Sequence, residues 1–333
     1  MKAIYTELKK ALGEARVLEA EPLYKYSTFH LGGTADLFFR AQESQDLLNA
    51  VYLAAKFDTP FFVIGGGSNL LISDKGFRGL VIKNETKRIK FVGAKGGKEK
   101  PVGQKIRTGV HTVYIEVDSG VSLNRLVRYS LDQGLSGLQY FLGQPGTVGG
   151  AVYINAHNMK KGKFFGERLV GAKLIDKKGK QKEVAGEYFK FGYDYSILQK
   201  THEIVLSVVL ELIVGDREEL WLEATEVINY RNTTQPHGVF SSGCTFRNIP
   251  KSDAIRLSTP NLTVSAGYLI ERAGLKGYSK GPIRFSDHHS NFIIHSGGVK
   301  ASDVLELINT AKKRVKDAFG VELKEEIVLV GEF

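Results

Sequence analysis

The sequence predicts an α/β fold followed by an α+β region, and two observations carry this prediction. Short apolar strands alternate with helical segments early in the chain, and longer helices separated by brief strands fill the last part. The composition, with 42% hydrophobic and 25% charged residues over 333 positions, is typical of a globular protein of two or three domains.

The first region, residues 1–84, mixes strands and a helix. Apolar runs predict strands at 35–41, 60–64 and 79–83, and the apolar spacing after the first strand predicts a helix at 44–57. We expect this region to form one domain.

The second region, residues 85–215, is rich in strands. An alternating strand at 111–120 precedes a helix that ends at Gly134, since glycine favours a helix C-terminus. Further strands are expected at 169–179, 180–186 and 203–214. We expect a second domain here.

The third region, residues 216–333, opens with a predicted helix at 216–231. The remaining elements expected in it are a helix at 266–273, a strand at 290–295, a helix at 302–319 and a strand at 325–331. These segments predict a C-terminal α+β domain.

Much of the net charge of +10 lies in a glycine-rich stretch between Lys83 and Arg107. Aromatic residues that would stack on bases are scarce there, so we expect a solvated basic insertion at about 92–111 and no nucleic-acid partner. Attraction of small molecules that carry phosphate is the alternative.

Three features predict a cytoplasmic protein without a membrane segment. The single cysteine excludes an intrachain disulfide and a multi-cysteine metal site, and it suits a reducing compartment. The N-terminal residues lack the apolar core of a signal peptide, and the apolar run at 204–214 is too short to span a bilayer.

The consecutive His288 and His289 are poorly placed to share a metal, so we expect no metal site.

Two glycine-rich loops are candidates for binding a pyrophosphate, because backbone N–H groups without side chains can approach phosphate oxygens. The first comprises Gly65, Gly66, Gly67, Ser68, Asn69 and Leu70. The second contains Gly143, Pro145, Gly146, Thr147, Gly149, Gly150 and Ala151. Neither follows the Walker or Rossmann pattern. The first loop alone would equally fit a plain turn, but the two together predict FAD held outside a Rossmann fold.

The only cysteine, Cys244, lies in the stretch SSGCTFRN. A lone cysteine is most often a small buried apolar residue, and a reactive thiol is the alternative.

Long segments of the chain resemble the UDP-N-acetylenolpyruvoylglucosamine reductase (MurB) family of flavoenzymes. They are STFHLGGTADL (27–37), VIGGGSNLLISDKGFRGLVI (63–82), GLQYFLGQPGTVGGAVYINA (137–156), FGYDYS (191–196), YRNTTQPHGVFSSGCTFRNIP (230–250), SAGYLIERAGLKG (265–277), SDHHSNFI (286–293) and FGVELKEEIVLVG (319–331). They occur in family order and leave mainly 92–111 unmatched. The short path from Ser196 to Arg231 resembles the second family type, which lacks an extra tyrosine-bearing loop.

The resemblance implies two FAD-binding domains of the PCMH, or vanillyl-alcohol-oxidase, type at 1–84 and 85–215, and a substrate-binding domain at 216–333. It implies NADPH-dependent reduction of the enolpyruvyl ether of UDP-N-acetylglucosamine to UDP-N-acetylmuramate, in peptidoglycan synthesis. The UDP-sugar and NADPH are then the expected partners, and we expect a monomer.

The family's proton-donating serine corresponds to Cys244, and its catalytic glutamate corresponds to Glu326. A thiol, with an ordinary pKa of about 8.5, is protonated at neutral pH and releases its proton more readily than an alcohol. Glu325 beside it fits a charge at a strand end. By resemblance alone, the substrate-binding residues are Tyr193, Arg231, Gln235, Arg247, Asn248, His289 and Asn291.

Three positions depart from the family pattern. Asp194 and Val328 stand where the family has arginines, and Lys324 replaces an earlier glutamate. One hypothesis is that another cation takes over the electrostatic role, from among Arg231, Arg247, Arg284 and His288. The other is that the chain is an FAD oxidase for a different substrate, or a catalytically impaired homologue that binds flavin or a UDP-sugar. Asp194 itself fits either a surface turn or the partner of a neighbouring base.

Overall fold

A computed structural model describes residues 2–98 and 108–333 of the chain. These residues form two compact units. The first unit runs to Leu18 and continues over Phe38–Gly65 and Leu80–Tyr230. The second unit is assembled from Glu19–Leu37, Gly66–Gly79 and Arg231–Phe333. The three-domain division at 84 and 215 stays a prediction.

Helices and strands alternate along both units. The α-helices are α1 (Lys2–Leu12), α2 (Ser44–Lys56), α3 (Leu123–Asp132), α4 (Val148–Ile154), α5 (Leu198–Thr201), α6 (Arg217–Thr234), α7 (Lys251–Arg256), α8 (Ala266–Arg272) and α9 (Ala301–Phe319). The strands are β1 (Val17–Pro22), β2 (Thr34–Ala41), β3 (Phe61–Ile64), β4 (Leu70–Ile72), β5 (Phe77–Asn84), β6 (Ile89–Lys98), β7 (Thr108–Asp118), β8 (Leu135–Ser136), β9 (His157–Asn158), β10 (Lys163–Phe164), β11 (Leu169–Ile175), β12 (Gln181–Ala185), β13 (Ile204–Val214), β14 (Ser279–Lys280), β15 (Ile283–Phe285), β16 (Ile293–His295) and β17 (Val328–Val330). The predicted α/β and α+β composition is confirmed.

An antiparallel sheet dominates the first unit. Its strands follow the order β12–β11–β13–β7–β6, and β8 pairs with the far end of β13. The apolar run predicted as a strand forms β13, whose alternating side chains contribute Val208, Leu210 and Leu212 to the core. Elsewhere in this unit β3 pairs in parallel with β5. The helix α3 starts at a Ser122 cap, which contributes about 1 kcal/mol, and Gly134 follows its end with a positive φ.

The basic insertion differs from its prediction as a solvated loop. Residues on both of its sides continue β6 and β7, which pair from Ile89 with Val117 out to Lys98 with Thr108. Glycines and lysines make up much of β6, and this composition concealed the strand because both have low β-propensity. The central part of the insertion lies outside the described residues.

The second unit packs helices against short strands. Strands β14, β15 and β16 form an antiparallel sheet, while β4 pairs in parallel with β17. The long helix α9 buries one face, with side chains at the i, i+3, i+4 spacing of an amphipathic helix. The Asp74 carboxylate accepts the backbone N–H groups of Ala301 (2.8 Å) and Ser302 (3.0 Å) at the start of α9. Phe29, Leu31 and Leu71 share this unit's core with the C-terminal residues, so the unit recruits two segments from early in the chain.

Candidate active site

In the second unit, Cys244 lies on a short segment between the segment that carries Phe292 and the segment that carries Glu326. Its backbone forms an antiparallel bridge with Phe292. The next residue, Thr245, donates its N–H to the Asn291 carbonyl at 2.7 Å and accepts the N–H of Glu326 at 2.9 Å. The backbones of the two residues predicted to be catalytic, Cys244 and Glu326, are therefore joined through a single intervening residue.

The segment that carries Glu326 is held on its other side by the first glycine loop. The Asn69 side-chain amide donates to the Glu326 carbonyl at 3.1 Å, and the Asn69 carbonyl accepts the N–H of Val328 at 2.9 Å. Leu70 pairs directly with Val328. The Glu325 carboxylate forms an ion pair with Lys312 at 2.8 Å, which agrees with a charged role at a strand end.

The buried Asn291 positions the segment that carries Cys244. Its side-chain oxygen accepts the N–H of Phe246 at 2.9 Å, and its amide donates to the Phe246 carbonyl at 2.7 Å. The structure thus gives the Asn291 side chain a bracing role. Its predicted contact with substrate stays a prediction.

Arg231 brings a positive charge to Cys244. Burial lowers the pKa of Arg231, and the negative charge of Cys244 opposes this by raising it. A guanidinium remains protonated at any ordinary pH. Arg231 is therefore a cation within electrostatic reach of the thiol. The backbone N–H of Gln235 bonds to the Arg231 carbonyl at 2.9 Å, one turn further along.

His289 lies on the segment paired with Cys244. Its Nδ1 accepts the N–H of Asn291 at 3.3 Å, and its ring centroid is 4.8 Å from that of Phe292. Burial lowers the pKa of His289, so the neutral imidazole with its proton on Nε2 fits these contacts. The backbone N–H of Arg247 donates to the Lys324 carbonyl at 2.9 Å. The side chains of Arg247 and Asn248 are half-buried.

Within the first unit, Gly65 at the start of the first glycine loop lies close to Thr147 of the second loop. A Cβ on Gly65 would lie 2.4 Å from the Thr147 hydroxyl oxygen, so only glycine permits this approach. Lys83 donates a hydrogen bond to the Gly65 carbonyl, and burial lowers the pKa of Lys83. In the sequence, Lys83 belongs to the basic stretch. Its position beside the glycine loop could not be predicted, because it depends on the pairing of β3 with β5.

The second loop turns through Gly143 and Gly146, both with positive φ, before α4. Asn124 fixes it by accepting the N–H of Gly143 at 2.7 Å, and Thr147 caps the helix. Gly150 is exposed, and apart from its own helix backbone the Thr147 hydroxyl is the only atom of the described residues within 4 Å of a Cβ placed there, so a ligand can approach its backbone. Pro145 is exposed, whereas the Ala151 methyl group packs into the core of the unit.

Polar atoms near Cys244 also suit a bound ligand. The hydroxyls of Ser242, Thr245 and Ser290 are buried and find no hydrogen-bond partner among residues 2–98 and 108–333. Buried hydroxyls without partners are uncommon in folded proteins, and a bound molecule can satisfy them. These hydroxyls fit the polar atoms of a bound ligand.

Asp194 is not a surface residue, so that interpretation of it was wrong. Its side chain is 1% exposed and lies 3.4 Å from Nδ1 of His157, which agrees with the alternative of a partner for a neighbouring base. The Tyr193 ring packs against the same imidazole at 4.9 Å. Sequence reasoning missed His157, since no local pattern relates it to a turn 37 residues away. The other candidate cations include Arg284, which is half-exposed and paired with Asp287 at 3.3 Å.

A family model described as UDP-N-acetylenolpyruvoylglucosamine reductase, C-terminal domain, matches residues 235–330, and an FAD binding domain model matches residues 35–185. The UDP-N-acetylenolpyruvoylglucosamine reductase of Bacillus pumilus is 37% identical over 98% of both chains. That of Bacillus subtilis is 34% identical over 99% of both chains.

The chain belongs to the UDP-N-acetylenolpyruvoylglucosamine reductase family. A crystal structure of the MurB reductase from Thermus caldophilus superimposes with a TM-score of 0.70 and 30% identity, covering 95% of this chain and 99% of that one. A VAO-type flavoprotein from Myceliophthora thermophila shares the fold alone, with a TM-score of 0.54 and 9% identity, over 95% of this chain and 85% of that one. The predicted PCMH-type fold with a MurB C-terminal domain is confirmed.

Membership of the reductase family also confirms the prediction of an FAD-dependent oxidoreductase. Along the described residues, no helix is both long and apolar enough to cross a bilayer.

Proposed function

We propose that the protein reduces the enolpyruvyl ether of UDP-N-acetylglucosamine to UDP-N-acetylmuramate, with NADPH as the electron donor. The proposal depends chiefly on one observation, the direct backbone connection between Cys244 and Glu326 through Thr245. When bound, FAD would supply the hydride, and the residues of this chain would supply orientation, charge stabilisation and a proton. The relatives named above are reductases of this substrate.

Cys244 is proposed as the general acid. After hydride transfer, negative charge develops on the substrate's enolate, and the carbon next to the carboxylate requires a proton. The Cys244 S–H bond breaks as the new C–H bond forms, which leaves a thiolate. Arg231 stabilises that thiolate, because the attraction that raises the pKa of Arg231 acts equally on its partner. The chain thus compensates locally for the charge that its own proton transfer creates.

Glu326 is proposed to position a proton or a water molecule at the reacting carbons. Its backbone is fixed from two sides, by the Asn69 amide at 3.1 Å and by the Thr245 carbonyl at 2.9 Å. Such bracing fixes the backbone from which the carboxylate extends, as a group acting on a reacting atom requires.

The test separates the two half-reactions. The purified protein is expected to be yellow, to lose its flavin absorbance on anaerobic addition of NADPH, and to recover it on addition of UDP-N-acetylglucosamine enolpyruvate. An oxidase for another substrate would recover its absorbance with oxygen and not with the UDP-sugar. A catalytically impaired homologue, suggested by Asp194 and Val328 in place of family arginines, would recover with neither within the assay.

Replacement of Arg231 by methionine is expected to slow reoxidation by the substrate about 100-fold, the usual cost of losing one stabilising group for a developing anion. Flavin reduction by NADPH should be unchanged. Arg231→Lys keeps the charge and should recover part of the rate, although a lysine lacks the planar fork. Stopped-flow absorbance measures both steps. Wild-type reoxidation in the methionine variant would rule out this role.

The cellular location and the oligomeric state belong to the same proposal. A peptidoglycan precursor reductase that uses NADPH is expected to act in the cytoplasm, which cell fractionation with an antibody would test. We also infer a monomer, since all proposed catalytic groups come from one chain, and light scattering coupled to size exclusion would reveal a larger assembly.

A further inference from the structure

The antiparallel sheet of the first unit ends in a long edge strand, β6. One side of β6 pairs with β7, from Ile89 opposite Val117 to Lys98 opposite Thr108. β7 in turn pairs with β13 only from Thr112 onward, so the end of the ribbon formed by β6 and β7 projects beyond the rest of the sheet. The outer side of β6 therefore presents backbone N–H and C=O groups that no strand of the described residues takes up.

Two neighbouring apolar side chains of β6 are exposed, and we call them the apolar pair. Phe91 is 57% exposed and Val92 is 44% exposed. The register of β6 shifts between Phe91 and Gly93, so Val92 is the extra residue of a β-bulge. A single exposed apolar residue is ordinary in a folded protein. An aromatic and an aliphatic side chain together on a sheet edge favour association with something outside the sheet.

Three exposed lysines flank the apolar pair. Lys87 lies just before β6, and Lys90 and Lys95 lie within the strand. None of the three forms an ion pair with a carboxylate of the described residues. Arg88, by contrast, is already paired with Asp118 at 3.5 Å. The lysines thus place uncompensated positive charge on both sides of the apolar pair.

The groups directly across the ladder do not neutralise the lysines of β6. Lys95 is opposite the uncharged Thr112, and Lys90 is opposite Glu116. The Glu116 side chain is only 11% exposed and forms its ion pair with Lys173 at 3.1 Å. The ammonium groups of β6 are therefore available to a partner outside the sheet. Strand geometry places Lys90 and Lys95 about 16 Å apart, with the apolar pair between them.

Edge protection explains only part of this pattern. Lysines and a bulge on an edge strand discourage pairing with another sheet, and two β6 strands side by side would repel each other. Protection does not explain the apolar pair, which promotes association. A nucleic acid would gain one stacking aromatic ring from Phe91 and nothing from an aliphatic neighbour. Ammonium groups beside apolar side chains fit a bilayer, where anionic headgroups lie next to acyl chains.

We propose that the edge of β6 docks the protein on the surface of a bilayer that contains anionic phospholipid. Phe91 and Val92 enter the boundary between headgroups and acyl chains, and the flanking lysines bind lipid phosphates. A bilayer that meets the sheet edge-on contacts side chains from both faces of β6, and the outward backbone N–H groups donate to phosphate oxygens. Such docking is peripheral and reversible, and it requires no membrane-spanning segment. It goes beyond the proposed function and does not depend on it.

The test is sedimentation of the purified full-length protein with vesicles. One set consists of phosphatidylcholine alone, and the other contains phosphatidylcholine and phosphatidylglycerol in equal parts. The wild type should bind only the mixed vesicles, and less tightly at high salt, because mobile ions screen the charges. The combined Lys87→Gln, Lys90→Gln and Lys95→Gln variant should lower the partition coefficient about 100-fold, from about fivefold for each lysine near an anionic surface.

A second variant isolates the apolar contribution. Phe91→Ser with Val92→Ser keeps every charge and should lower the partition coefficient about tenfold, because less apolar surface leaves water. All the replaced side chains are exposed, so each variant should keep the thermal stability and FAD content of the wild type.

A matched control removes the same charge elsewhere. The exposed turn between β11 and β12, at the opposite edge of the sheet, carries Lys177, Lys178 and Lys180. The combined Lys177→Gln, Lys178→Gln and Lys180→Gln variant should bind the mixed vesicles nearly as the wild type does. An equal loss in this control would mean that net charge alone attracts the protein, and it would overturn the inference.

Three further outcomes would also overturn it. The first is a wild type that does not bind the mixed vesicles, or a serine variant that binds them with wild-type affinity. The second is displacement of the protein from the vesicles by a DNA duplex at equal phosphate concentration, which would assign the patch to nucleic acid. The third is a dimer in light scattering that the serine variant abolishes, which would assign the patch to a second copy. None of these outcomes bears on the reductase activity, which the flavin half-reactions test separately.

Discussion

Cys244→Ala is expected to reduce reoxidation of the flavin by substrate by about 10²- to 10⁴-fold, the usual contribution of a general acid. Flavin reduction by NADPH should keep its wild-type rate, because hydride transfer to the flavin requires no proton from the thiol. Stopped-flow absorbance under anaerobic conditions resolves the two half-reactions. The variant should therefore accumulate reduced flavin in the presence of both substrates.

Cys244→Ser is the matched control, because it restores the residue that the family pattern has at this position. An alcohol gives up its proton less readily than a thiol, so an intermediate reoxidation rate is expected. The thiol of this chain lies within reach of Arg231, which stabilises the thiolate that the reaction leaves. Near wild-type turnover in the alanine variant would show that Cys244 only packs, as a lone cysteine usually does.

Much of the site could be predicted because its residues lie in continuous segments. The loop around Gly65, the loop around Gly146 and the stretch around Cys244 each have a recognisable local sequence. Their partnerships could not be predicted, since they depend on pairings between distant segments. The bond from Asn69 to the Glu326 carbonyl spans 257 positions, and the contact of Gly65 with Thr147 also joins segments that are distant in sequence.

The divided second unit illustrates the same limit. Glu19–Leu37 and Gly66–Gly79 belong with the C-terminal residues, yet nothing in their composition separates them from their neighbours in sequence. Local periodicity reports which face of an element is apolar, and it does not report which core that face joins. The burial of Asp194 was concealed for a related reason. The sequence predicts that an acidic residue in a turn is exposed. Only the fold shows that the opposing base, His157, lies beside it.

Gly67→Ala is expected to destabilise the second unit strongly, by about 4 kcal/mol or more. Gly67 has φ 65°, which costs a residue with a Cβ about 1–2 kcal/mol. A Cβ there would also lie 1.9 Å from the Tyr26 carbonyl oxygen, so backbone would have to move. That movement would strain the bond from the Thr28 N–H to the Gly67 carbonyl, which is 3.1 Å long. Urea denaturation of the FAD-free protein measures the loss.

Gly281→Ala separates the backbone conformation from the steric clash. Gly281 has φ 62°, but apart from its chain neighbours no described residue has an atom within 4 Å of a Cβ placed on it, so only the conformational cost of about 1–2 kcal/mol should remain. Equal losses in the two variants would show that the Tyr26 contact is unimportant.

The use of FAD-free protein shows whether Gly67 serves the cofactor or the packing of the chain. If Gly67 serves only to let the cofactor approach, its alanine variant should lose FAD affinity and keep the stability of the FAD-free chain. If the chain packs against itself at Gly67, as its closeness to Tyr26 indicates, stability falls before any cofactor is added.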